Sequence, residues 1–304
     1  MRGYGGTERV VAALVQGLAE LGHRVSLLAP AQTNLAGATC IAVPEKTLLG
    51  PMPALMAYLP SGVDVVHGHY SIARPPDTVP FLQTLHGNHR SGDSPPPHTV
   101  CLSFDHARRH GVTSFVYNGL DPNSFTFQSK KDDYDLFVGR LHSAKGYRWA
   151  LAAAKRTGRR LLVAGGWRPS LRRTIRYLGE VDGAKKRDLF AGARCLWMPA
   201  LWDEPFGLTL IEALFSGTPV VGTRRGALPE IVTPEIGALG DTLDELIEGS
   251  RGIETRSAAA CRAHAERFFS HITMAEQYVR LYRNLLATGA LGGGPGQPIP
   301  YTTS

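Results

Sequence analysis

The chain has 304 residues, 43% of them apolar and 19% charged, proportions that exclude long disorder away from the ends. That length suits two domains of about 120–170 residues, each with its own core. The net charge of +7 calls for an anionic ligand, lipid surface or nucleic acid to be weighed. No apolar run reaches the roughly 18 residues that span a bilayer, and the opening residues lack the order of a signal peptide. Cys40, Cys101, Cys195 and Cys261 stand without CxxC spacing and read as buried, reduced thiols of a cytoplasmic protein.

Short apolar runs alternate with helical stretches, the pattern of parallel sheets covered by helices. A helix is expected over 7–21, stopped by Gly22. Strands follow over 25–29, 40–43, 63–67, 81–85, 99–102 and 114–117, with a helix over 104–110. Residues 123–133 are polar and read as a linker. Beyond it lie strands over 136–139, 160–164, 175–178, 195–198 and 220–221, and helices over 147–157, 184–191, 206–215 and 243–248. Two long helices, 255–268 and 272–287, close the fold, and the Gly/Pro-rich end from 292 is expected to be disordered. Arginines cluster at Arg156, Arg159, Arg160, Arg168, Arg172, Arg173 and Arg176. Only Trp167 and Tyr177 interleave with them, which argues against nucleic acid and leaves a solvated face or a peripheral membrane contact.

The chemistry concentrates in Glu204-Pro-Phe-Gly-Leu-Thr-Leu-Ile-Glu212. Glu204 falls in a loop ahead of a helix, where its carboxylate can reach a polar ligand. Phe206, Gly207 and Leu208 offer backbone N–H groups at the helix start, an anion and hydroxyl site. Glu212, expected about two turns into the helix, can accept hydrogen bonds from a diol. Two acids around a helix start suit a sugar on a diphosphate. Gly3-Tyr4-Gly5 is followed by Glu8 where a dinucleotide fingerprint has its third glycine, which argues against a nicotinamide enzyme.

This arrangement resembles the E-x7-E motif of the retaining glycosyltransferases of family 4. Further segments are similar to that family in its own order: Gly5-Gly6-Thr7-Glu8, Asp64-Val-Val-His-Gly-His69, Thr84-Leu-His-Gly87, Asn118-Gly-Leu-Asp121, Phe137-Val-Gly-Arg-Leu141 with Lys145-Gly146, and Gly226-Ala-Leu-Pro-Glu-Ile-Val232. The resemblance implies an α/β fold of the GT-B type: two Rossmann-like domains with parallel sheets facing across a cleft, and a C-terminal helix crossing back to the first. The boundaries read as an acceptor domain over 1–122, a nucleotide-sugar domain over 123–270, the returning helix over 271–288 and a tail over 289–304. In this fold the glycine loop follows a first strand, yet only four residues precede Gly5. The natural chain is therefore expected to begin roughly 15–20 residues upstream.

The resemblance also implies roles. Arg140 and Lys145 would hold the diphosphate as it departs, with Gly5 and Gly6 bringing backbone N–H groups close to it. Glu212 would bind the ribose hydroxyls, Val181 would line the base pocket, and Glu204 and His86 would act at the donor sugar as the catalytic pair. The implied activity is transfer of a sugar from a nucleotide-diphosphate donor (UDP, GDP or ADP) to a sugar, lipid-linked or small-molecule hydroxyl, with retention and without a metal or cofactor. His67, His69, His86 and His89 have spacings that can bind zinc, but no cysteine or carboxylate lies close by. Asp133-Tyr134-Asp135 reads as solvated linker charge. A sugar-nucleotide epimerase and a non-catalytic nucleotide-sugar-binding paralogue are the other readings.

Overall fold

The computed structural model describes residues 5–30, 33–48, 50, 52–69, 78–88 and 95–292. They fall into two compact units, one reaching Asp121 and resumed from Phe268, the other Pro122–Arg267. The first unit opens with α1 (Gly6–Glu20), in which Val10, Ala13, Leu14 and Leu18 recur at three- and four-residue spacing and are buried. β1 (Val25–Ala29) and β2 (Ala38–Ala42) then pair in parallel. After the short helices α2 (Glu45–Leu48) and α3 (Met52–Met56), a second parallel sheet is built from β3 (Val66–Gly68), β4 (Phe81–Thr84) and β5 (Thr99–Val100). α4 (Phe104–Arg109) begins at Ser103, whose Oγ accepts the His106 N–H at 3.1 Å. The strand expected over 114–117 is reduced to a single bridge between Phe115 and Cys101.

Among the described residues the two sheets of this unit share no backbone ladder. Side chains join the two sheets instead: Val43, Leu55 and Phe81 pack with Leu28, Ile41 and Val66.

The second unit runs β6 (Asp135–Val138), α5 (Tyr147–Thr157), β7 (Leu161–Ala164), β8 (Ile175–Gly179), α6 (Gly183–Gly192), β9 (Cys195–Met198), α7 (Leu208–Phe215), β10 (Val220–Thr223), α8 (Leu228–Ile231), β11 (Gly237–Gly240), α9 (Leu243–Gly249) and α10 (Ala258–Phe269). Its six strands are all parallel in the order β11-β10-β9-β6-β7-β8. Phe137, Leu161, Val163, Trp197 and Val221 on one sheet face bury against Ala150, Ala153 and Ala154 of α5 and Leu246 and Ile247 of α9. Each large side chain so buried is worth about 1.5–3 kcal/mol. The chain moves outward from β6 through β7 to β8, then returns to β9 on the other flank of β6. The strand order therefore reverses between β6 and β9, and the loops leaving those two strands meet at a topological switch point. The Leu201 N–H donating to Ala144 O at 2.7 Å ties them together.

α11 (His271–Thr288) belongs to the first unit and packs on α1. Its N-cap Ser270 accepts the Thr273 N–H at 3.1 Å.

Several expectations need correction. Asp135 is not solvated: it is buried at the start of β6, where Arg194 donates to both carboxylate oxygens at 2.7 and 3.0 Å and the Trp197 indole donates at 2.9 Å. The cause is register, since Asp135 stands opposite Cys195, next to Arg194, in the sheet. The helix expected from 206 starts at Leu208, because Gly207 takes a left-handed φ of 90° that no helix continues through. Glu212 is thus just over one turn inside it, not two. The long helix expected from 255 starts at Ala258, where Ser257 Oγ accepts the Ala260 N–H. Cys101, Cys195 and Cys261 are buried free thiols, and Cys40 is half-buried. Residues 293–304 of the expected tail lie outside the described residues, and no described helix is long and apolar enough to cross a membrane.

Candidate functional site

The switch point of the second unit gathers the chemistry. Lys145 ends the turn after β6, and Glu204 lies in the loop after β9. Lys145 Nζ donates to Glu204 Oε2 at 2.5 Å. The Trp202 indole N–H donates to the same oxygen at 2.9 Å, and Lys145 Nζ stands 4.7 Å from the Trp202 ring centroid. One carboxylate oxygen thus carries two donors, while Oε1 has no hydrogen bond among the described residues.

Glu204 is buried, so its position is set from behind. Gly226, at φ 57°, lies flat against it: a Cβ there would come within 2.4 Å of the Glu204 N and O. The next residue, Ala227, donates its N–H to Glu204 O at 3.0 Å. Phe206 is buried beneath the loop, and Gly207 and Leu208 open α7, where the Leu210 N–H donates to Gly207 O at 2.9 Å and the Leu208 and Thr209 N–H groups precede the first intrahelical bond. Glu212, on the buried face of α7, takes the Lys186 ammonium from α6 at 2.8 Å. Arg140 is exposed just past β6 and makes no side-chain hydrogen bond or ion pair among the described residues. Val181 is buried between β8 and α6.

The remaining candidates belong to the first unit. Gly5 is the N-cap of α1 and Gly6 its first residue. The carboxylate of Glu8 folds over Gly5, occupying the space that a Cβ would take. A helix start expected to meet phosphate therefore carries an acid of its own.

His86 follows β4, with its Nε2 3.0 Å from His69 Nδ1. Next to this pair, His67 Nε2 lies 2.8 Å from Thr84 Oγ1 and Nδ1 lies 2.8 Å from the Tyr282 hydroxyl. Thr84 Oγ1 in turn is 2.7 Å from the Tyr278 hydroxyl. Loss of hydration pulls the imidazoles down: His67 to about 3, with the neighbouring His86 adding to the shift, and His86 itself to about 4. His69 is lowered well below 6.5 by burial and by its two histidine neighbours. Neutral histidines of this kind donate and accept hydrogen bonds but bring no charge. Among the described residues no three side chains are placed to hold a metal ion, and His89 lies outside them.

Trp202, Lys186, Tyr278 and Tyr282 escaped the sequence reading. Tyr278 and Tyr282, four apart in α11, share one helix face, a spacing that could have found them as a pair.

Comparison with known proteins gives the family. Residues 4–121 match the family model for Glycosyltransferase Family 4, and residues 134–249 match that for Glycosyl transferases group 1. The chain belongs to glycosyltransferase family 4. This family 4 chain is 32% identical to the crystal structure of AviGT4, a glycosyltransferase involved in avilamycin A biosynthesis, with a TM-score of 0.77 over 94% of this chain and 92% of that one. It is 27% identical to the phosphatidyl-myo-inositol mannosyltransferase of Mycobacterium tuberculosis, covering 94% of this chain and 95% of the relative. The HepE structure from Anabaena, in complex with UDP, shares the fold at 16% identity and a TM-score of 0.69, over 94% of this chain and 98% of that one. The GT-B architecture of this glycosyltransferase follows from these likenesses.

Proposed function

We propose that this glycosyltransferase takes a nucleotide-diphosphate sugar at the switch point of its second unit and transfers the sugar to an acceptor hydroxyl with retention of configuration. The observation that carries the reading is the Lys145–Glu204–Trp202 cluster beside the start of α7. Arg140 and Lys145 bind the diphosphate. Lys145 has three donors, so it can keep its contact to Glu204 while giving the others to phosphate oxygens. The α7 first turn and Oε1 of Glu204 hold the sugar hydroxyls. Glu212, steadied by Lys186, takes the ribose, and Val181 borders the base. His86 of the first unit is neutral at physiological pH, so it can give and take hydrogen bonds without bringing charge.

In the reaction the anomeric carbon–phosphate oxygen bond breaks and a bond to the acceptor oxygen forms. The acceptor proton passes to the departing phosphate, and the charge that develops there is met by Arg140, Lys145 and the helix end rather than by a divalent metal. UDP, bound by HepE, and the inositol lipid and mannosyl group named for the mycobacterial relative illustrate the donor and acceptor classes that such a site can serve. Glu204→Gln and Lys145→Ala each lower turnover by about 10²-fold or more, the scale of losing one preorganised electrostatic contact. Near-wild-type turnover in both variants would remove the assignment. The interrupted sheet of the first unit favours one second reading, a protein that binds the nucleotide sugar without turning it over; tight binding of a nucleotide diphosphate with no product from any donor is its signature.

A further inference from the structure

The connection from β7 to β8 is unlike the other crossovers of the second unit. α5, α6, α7 and α8 each fill the passage between the strands flanking them, but residues 165–174 contain no helix. Residues 167–173 are exposed without a break. Trp167 is 69% exposed and Leu171 105%, whereas the five other large apolar residues exposed among the described ones lie between 36% and 50%. Two such side chains held in water four residues apart are costly unless something covers them.

The charge around them is of one sign. Arg168, Arg172 and Arg173 lie in the loop and Arg176 is exposed on β8, and no Asp or Glu occurs between 160 and 179. None of these four guanidinium groups has a carboxylate partner among the described residues, and Arg168 rests over the Tyr147 ring at 5.7 Å. Elsewhere in the unit Arg156, Arg159, Arg194, Arg224, Arg251 and Arg262 are each held by an acid; Arg140, Arg148, Arg160, Arg187, Arg225 and Arg256 show no ion pair among the described residues, so the loop is set apart by four such arginines within nine positions and no acid between them. Unneutralised positive charge therefore coincides with the most exposed apolar side chains.

We propose that residues 166–174 form a wedge that docks this chain on an anionic bilayer, with Trp167 and Leu171 entering the headgroup–acyl boundary and Arg168, Arg172, Arg173 and Arg176 pairing with lipid phosphates. An indole belongs at that depth, with its ring in the apolar layer and its N–H in the wet one. Leu171 has no ring on which a base could stack, which favours a bilayer over single-stranded nucleic acid as the partner. The loop leaves β7 where Gly166 packs against Leu141, one residue beyond Arg140. On the transferase reading, a lipid-borne acceptor is thereby brought to the strand end that carries the diphosphate-binding arginine.

The test is co-sedimentation of the full chain with phosphatidylcholine vesicles, with and without phosphatidylglycerol, in the absence of any sugar donor. Wild-type protein binds the anionic vesicles and leaves the neutral ones largely alone. Each arginine near the surface adds about fivefold to the partition, so R168Q/R172Q/R173Q weakens binding by about 10²-fold. W167S/L171S weakens it by about tenfold or more, on the scale of two withdrawn apolar side chains. All five positions are exposed, so both variants keep the wild-type melting temperature and the shift produced by a nucleotide diphosphate. Brominated phosphatidylglycerol quenches a tryptophan emission that Trp167→Phe removes. No preference for anionic vesicles, or equal binding by either variant, overturns the wedge. Quenching that survives in Trp167→Phe overturns it independently. Because no donor is present, that failure is distinct from failure of the transferase reading.

Discussion

Glu204 shows what one residue contributes once its neighbours are fixed. Its motif made it legible in the sequence, as it did Lys145, because the family spacing places both at strand ends. The contacts that position it were not legible. Trp202 is two residues away, but whether its indole turns towards Glu204 depends on the loop, and Lys186 reaches Glu212 from a helix that periodicity located without showing which way it faced. Trp202→Phe keeps a ring beneath Lys145 and removes one hydrogen bond to a buried carboxylate, worth about 1.5–3 kcal/mol. Steady-state kinetics of that variant show kcat/KM lowered by about tenfold or more, and Trp202→Ala costs more. Gly226→Ala forces a Cβ into the Glu204 backbone at a left-handed φ. It lowers donor affinity measured by calorimetry and destabilises by about 1–3 kcal/mol. Asp135 was misread because sequence gives no sign of the Arg194 facing it across the sheet. Breaking such a buried pair costs about 3–5 kcal/mol, so Asp135→Asn shifts the urea midpoint of unfolding by a corresponding amount.

At the scale of elements, long apolar or amphipathic runs were readable and short or interrupted ones were not. Helix α5 stands where periodicity puts it, and β9, four residues long, was found as an unbroken apolar run, whereas α2, α3, α8 and β11, as short but without such a run, were not recognised. The start of α7 was placed two residues early because a positive φ at Gly207 is a property of the folded loop. In the first unit the short ladders of β1–β2 and β3–β5 contrast with the continuous six-stranded sheet of the second. Amide exchange therefore protects β6, β7, β9 and β10 more strongly than β1 to β3; equal protection would contradict this.

The histidines of the first unit add a pH dependence. The folded values of His67, His86 and His106 are about 3, 4 and 3 against an ordinary 6.5, chiefly because burial disfavours the charged imidazole. His106 is fixed neutral by geometry as well, with Nδ1 accepting the Leu102 N–H and Nε2 placed 3.1 Å from the Gly87 carbonyl. Below about pH 6.5 the unfolded chain takes up protons that the folded chain refuses, so their contribution is complete above that pH and is lost as it falls towards 4. At pH 5 the loss is on the order of 2 kcal/mol for each histidine that stays neutral. Chemical denaturation between pH 7 and 5 reads it, and His106→Asn flattens the slope.

For the whole molecule, composition announced two domains and a basic protein, and the ordered motifs announced the family. What composition could not tell is that the positive charge is unevenly paired. Six arginines of the second unit are held by acids, while the four around Trp167 have no carboxylate partner among the described residues. The first unit carries His86 and α11, and the second carries the cluster that binds the donor in the proposal above. The most direct measurement is a thermal-shift screen of UDP, GDP and ADP on the wild-type chain and on the Arg140→Ala/Lys145→Ala double variant. A ligand at 100 times its dissociation constant stabilises by about 2.7 kcal/mol. The account predicts that one nucleotide diphosphate raises the wild-type melting temperature and that the double variant loses the shift. No shift with any of the three, or the same shift in the variant, would contradict it.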